Sequence, residues 1–70
     1  MKFRSIKDAL KELKKIDNDT AISEYVIRKL ANEEKVSQVI SGKKIMVDVD
    51  SIINYLQGIS FTPNIIKLDD

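Results

Sequence analysis

Tyr25, Arg28, Lys29 and Asn32 stand at i, i+3, i+4 and i+7. On a helix, that spacing gathers four polar side chains on one face. Arg28 can bond the O6 and N7 of a guanine through both prongs of its guanidinium, and Asn32 can do the same to N6 and N7 of an adenine. Tyr25 and Lys29 can hold phosphates and set register. Gly42-Lys43-Lys44 places two ammonium groups at a glycine-bearing turn. There they can neutralise phosphates, or simply keep a hairpin edge from pairing with other chains. Lys2, Arg4, Lys7 and Lys11 form a weaker basic group near the start, as suited to a solubility face as to backbone contacts. Every surface helix has a polar face, so charge pattern alone favours a solvated surface. The position of residues 25–32, between a capped helix and a basic hairpin, favours nucleic acid.

Other chemistries are excluded or weak. The 70 residues contain no Cys and no His, so disulfides, thiolate or imidazole zinc sites, His-ligated haem and Ser–His–Asp or Cys–His catalysis are ruled out. Asp17-Asn18-Asp19 opens like a calcium loop, but the fifth, sixth and twelfth places hold Ala21, Ile22 and Arg28 instead of an oxygen ligand, Gly and Glu. Asp48 and Asp50 are two apart at a strand-to-helix turn, and one is needed as a cap, so they are not read as a catalytic pair. With two glycines, 42 and 58, there is no glycine-rich phosphate loop. No enzyme activity, metal or cofactor is expected.

These groups must be positioned by a small domain, since 70 residues allow only one. Ser5 predicts an N-cap, with Asp8 in the first turn. Ile6, Ala9, Leu10, Leu13 and Ile16 then form one apolar stripe, and Asp17-Asn18-Asp19 ends the helix. A second helix, capped by Thr20 or Ser23, buries Ile22, Val26, Ile27, Leu30 and Ala31 behind the Tyr25–Asn32 face and closes at Glu33-Glu34-Lys35. Val36–Ile40 and Ile45–Val49 are β-branched runs around Ser41–Lys44, a hairpin. Asp50 is expected to cap a third helix from Ser51 to about Gln57, ended by Gly58. An isolated hairpin is marginal in water, so this one must rest on the helices. The expected class is α+β, a small winged helix-turn-helix: helix, helix, hairpin wing, helix and a C-terminal tail. The winged unit covers residues 1–58 and an apolar tail residues 59–70.

The run from Ile22 to Leu56 resembles the small excisionase-type DNA-binding domains, which are related to the winged-helix domain of MerR-type regulators. Ser5-Ile6-Lys7-Asp8-Ala9 is similar to the family's capped first helix, and Ser23 to Leu30 to its recognition helix. Gly42-Lys43-Lys44 is similar to its wing tip, and Asp50 to Leu56 to its closing helix, which ends in a Tyr-Leu pair. The match covers roughly residues 3–57. The resemblance implies binding of double-stranded DNA. It also implies a role as an accessory factor in site-specific recombination of a mobile element, or as a small transcriptional regulator. The implied partners are a recombinase, or further copies of the chain on DNA.

Charge is uneven behind a net +1: residues 1–15 carry +4, residues 16–41 carry −2 and residues 42–70 carry −1. No apolar run approaches the roughly 20 residues of a membrane span, and the N-terminus lacks a signal-peptide pattern. With no cysteine, a cytoplasmic location is expected. If Val39, Ile45 and Val47 face inward, Ile40 and Met46 face outward and need a cover. The tail is expected to fold back over them. Otherwise Ile40, Met46, Phe61, Ile65 and Ile66 form a docking patch for another protein or a second copy. That patch, Glu24 and the near-neutral charge support an alternative: a protein-interaction module, adaptor or antitoxin-like, on the same fold without DNA binding.

Overall fold

The structure is a computed structural model that describes residues 2–16 and 21–68. In chain order it has β1 (Phe3–Ser5), α1 (Ile6–Ile16), α2 (Glu24–Asn32), β2 (Gln38–Ser41), β3 (Lys44–Asp48), α3 (Val49–Leu56) and β4 (Ile65–Leu68). Among the described residues the molecule is an α+β domain of three helices and one four-stranded sheet, ordered β1-β3-β2-β4. No helix of the described residues is long and apolar enough to cross a membrane.

Local sequence explains the helix ends. The Ser5 hydroxyl accepts the Asp8 amide at 3.2 Å, and Ser23, not the alternative Thr20, caps α2 by accepting the Val26 amide at 3.3 Å. Thr20 and the Asp17-Asn18-Asp19 turn lie outside the described residues. The third cap corrects the sequence reading. Asp48, not Asp50, caps α3: its Oδ1 accepts the Asp50 amide at 3.2 Å, and the helix starts at Val49. Asp50 falls in the first turn, where its charge faces the positive helix end.

α2 and α3 close alike. The Glu34 amide donates to Ala31 and the Lys35 amide to Leu30; the Gly58 amide donates to Tyr55 and the Ile59 amide to Asn54. Both are Schellman closures, which need a left-handed residue just past the cap. Gly58 supplies it at φ +75°, as expected from sequence. At the end of α2 Glu34 takes φ +57°, a conformation that ordinarily favours glycine.

β2 and β3 pair antiparallel with Ser41 opposite Lys44, leaving Gly42 and Lys43 as a two-residue loop. Gly42 at φ +57° fits the first place of a type II′ turn, whose twist matches the strands. Two strands were not foreseen. β1 pairs antiparallel with β3, and β4 pairs parallel with β2. The tail therefore does not lie over the hairpin's outer face; it extends the sheet sideways.

All three helices contribute to one core with the sheet: Ile6, Ala9 and Leu13 from α1, Ile27, Leu30 and Ala31 from α2, Val49 and Ile52 from α3, with Val36 and Val47. Ile16 is 66% exposed, because it lies at the margin of the α1 stripe in the last turn. A polar group stitches the sheet to α3. The Ser37 amide donates to Ser51 Oγ at 3.0 Å, and Ser51 Oγ donates to the Asp48 carbonyl at 2.8 Å. Ser37 Oγ accepts the Asn64 amide at 3.0 Å, which fastens the tail.

The buried Gln38 sets which face of the sheet is which. It is opposite Val47, and its Nε2 donates to the Ala31 carbonyl of α2 at 2.7 Å. Strand alternation then puts Gln38, Ile40, Ile45 and Val47 on the helix side, and Val39, Ser41, Lys44 and Met46 on the other. This corrects the expected placement of Ile40 and Val39, which exchange faces. With Val39 inward, strand alternation would turn the polar Gln38 outward. Instead its side-chain amide is buried and donates to the Ala31 carbonyl, which also accepts the Glu34 amide, and the phase of β2 shifts by one residue.

Candidate nucleic-acid interface

The α2 face is set by the helix's apolar side. Ile27, Leu30 and Ala31 are buried, so Tyr25, Arg28, Lys29 and Asn32 are exposed, Tyr25 at 72%. Among the described residues none of these four makes a side-chain hydrogen bond or ion pair, so their donors are free to meet a ligand. Glu24 is exposed at the start of the same helix.

Lys43 sits in the hairpin loop and Lys44 opens β3, both exposed. They do not point alike. Lys44 shares the outer sheet face with Met46, while Lys43 stands at the turn itself. In the first basic group, Lys7 and Lys11 are exposed one turn apart on α1. Arg4 is engaged instead. Its Nε lies 3.1 Å from Glu12 Oε1 and its guanidinium also donates to the Phe3 carbonyl, which ties β1 to α1. An ion pair this exposed contributes little stability, yet it holds Arg4 on the helix side of the sheet.

The five residues of the expected apolar patch do not form one surface. Ile40 and Ile65 are on the helix side, since Ile40 is opposite Ile45 and Ile65 opposite Gln38. Met46 and Ile66 are on the outer side, joined through Val39, which is opposite both. Phe61 lines a separate shallow cleft with Tyr55, Ile59 and Pro63 beside Glu34 and Lys35. The outer row Met46–Val39–Ile66, with Leu68 beyond it, is not legible in the sequence, whose pattern places Val39 inward. Met46 and Ile66 are each 40% exposed and Leu68 52%. All three helices pack on the opposite face, so this side of the sheet carries no second layer of the described residues.

Among the described residues no group of three or more acidic side chains is placed to hold a metal ion. Comparison with protein-family models, curated proteins and solved structures gives no match for this chain.

Proposed function

We propose that this chain is a sequence-specific double-stranded DNA-binding protein on a winged helix-turn-helix scaffold, acting without catalysis. The observation that carries the reading is the α2 face: Tyr25, Arg28, Lys29 and Asn32 are exposed and unpartnered on a helix whose other side is locked into the core. α2 acts as the recognition helix in the major groove. Arg28 and Asn32 read base edges, and Tyr25 and Lys29 hold the backbone. The β2–β3 hairpin is the wing, whose Lys43 and Lys44 reach flanking phosphates. Lys7 and Lys11 add a weaker backbone contact. The resemblance to excisionase-type domains extends the reading to an accessory role in site-specific recombination of a mobile element, or to a small transcriptional regulator. A single module of this kind covers roughly 600–1,000 Å², so specific action calls for several copies or a protein partner such as a recombinase.

The test is an NMR titration with a short duplex at two salt concentrations. Salt-sensitive shifts at Tyr25, Arg28, Lys29, Lys43 and Lys44 are the expected result. Absence of shifts there at low salt overturns the reading.

A second reading has its own support. The outer row Met46–Val39–Ile66 leaves apolar surface uncovered beside a nearly neutral chain, which suits a protein-interaction module that has lost DNA binding. Weak heparin retention together with partner capture through the sheet distinguishes it from the first.

A further inference from the structure

β4 is an edge strand, and the phase of its pairing is known. The Gln38 amide donates to the Asn64 carbonyl at 2.9 Å, and β4 runs parallel to β2 with Ile66 beside Val39. In a parallel ladder of this register, Asn64, Ile66 and Leu68 turn their backbone groups toward β2. Ile65 and Lys67 therefore direct their N–H and C=O groups to the open side, where no strand of the described residues lies. That side has no proline or bulge between Ile65 and Leu68 to blunt it.

We infer that two copies of this chain pair through antiparallel β4 strands about a two-fold axis, with Ile66 facing Ile66 of the partner subunit. The two-fold keeps helix-side residues opposite helix-side residues, so it must pass through a residue position. Centred on Ile66, it sets Ile65 opposite Lys67 of the partner subunit and Lys67 opposite Ile65 of the partner subunit. Each is a hydrogen-bonded pair, and together the two pairs consume every free backbone group of both β4 strands. Centred on Lys67, the two-fold sets like charges directly opposite each other, which is unfavourable. Centred on Ile65, it brings Pro63, which has no N–H, opposite Lys67. The lysine thus selects the register instead of forbidding the contact. The Ile66 pairing also joins two outer rows into one, Met46–Val39–Ile66 continuing into its mirror across an eight-stranded sheet.

A four-residue edge buries well under the roughly 1,200 Å² of a standard stable interface, so the dimer forms at high concentration. Sedimentation equilibrium on the unmodified full chain, from micromolar to millimolar, is expected to show a monomer–dimer equilibrium. Over the same range, amide exchange at Ile65 and Lys67 slows in proportion to the dimer fraction, while Ile66 and Leu68, already bonded to β2, do not follow it. Because the chain has no cysteine, Ile66→Cys supplies a single reporter. The facing pair is of the non-hydrogen-bonded kind, with Cα atoms about 4.5 Å apart, so mild oxidation yields a linked dimer faster than with Met46→Cys. A monomer throughout overturns the inference. So does a dimer that leaves exchange at Ile65 and Lys67 unchanged, or one that links preferentially through Met46→Cys, which marks sheet-face packing.

Discussion

Glu34 and Gly58 hold the same place at the ends of two different helices, each in the left-handed region just past the cap. The glycine is at ease there and the glutamate is not, since a Cβ in that region costs about 1–2 kcal/mol. Glu34→Gly is expected to raise stability by about 1 kcal/mol in urea unfolding. Gly58→Ala is expected to lower it by a similar amount. A Cβ at Gly58 would meet nothing within 4 Å, so the whole cost there is backbone conformation.

The choice between Asp48 and Asp50 as the α3 cap has a direct consequence. Asp48→Ala removes the acceptor of the Asp50 amide and is expected to cost about 1 kcal/mol. Asp50→Ala removes only an exposed first-turn charge, worth about 0.3–1 kcal/mol at low salt. Paired denaturation curves in low and high salt separate the two, because salt screens the exposed Asp50 charge far more than the buried Asp48 cap.

Ser51→Ala strands the buried Ser37 amide, which donates to Ser51 Oγ. A loss of about 1–3 kcal/mol is expected. Ser37→Ala acts on the tail instead. It frees the Asn64 amide at the entrance to β4, so amide exchange at Ile66 and Leu68 should accelerate more than exchange in α1. Equal acceleration everywhere would show global destabilisation only.

Arg28→Ala and Lys29→Ala touch an exposed face without partners, so each should change stability by less than about 0.5 kcal/mol. Under the DNA reading, the pair together abolishes specific duplex binding. Arg28→Lys keeps the charge but loses the planar fork, and its binding should become weaker and less sequence-dependent. Unchanged affinity for a cognate duplex in the double variant removes α2 as the recognition helix.

Lys43→Gln and Lys44→Gln should leave base preference intact while reducing the dependence of affinity on salt. Each lost phosphate contact lowers the log–log slope by about 0.9. Fluorescence anisotropy across a salt series reads this directly. A slope that does not move places the hairpin away from the phosphates.

Much of the fold was legible in local patterns. Ser5, and the choice of Thr20 or Ser23, announced two helices, and the apolar stripes Ile6–Ile16 and Ile22–Ala31 named their buried sides, apart from the exposed Ile16. Gly42 and Gly58 marked a hairpin loop and a helix end. The Tyr25–Asn32 face was legible for the same reason, since a polar face on an amphipathic helix follows from where its apolar face must go. Three features were not. β1 is only three residues long, and β4, though as long as β2, has no adjacent turn to pair it with a neighbour in sequence. Glu34 at the close of α2 carries no glycine to mark it.

Local sequence suffices for the existence of the three helices, for the hairpin and for the exposed side of α2. Those depend on caps, turns and periodicity, which act over a few neighbouring residues. Contacts between distant segments settle which face of β2 is buried, where the tail goes and whether the apolar patch is one surface. Gln38 can turn inward because its buried side-chain amide finds an acceptor in the Ala31 carbonyl, seven positions away. The tail joins β2 because Ser37 and Gln38 bond Asn64 across more than twenty-five positions of chain. A polar residue's place in a strand is settled by the partner it finds, and that partner is not written beside it.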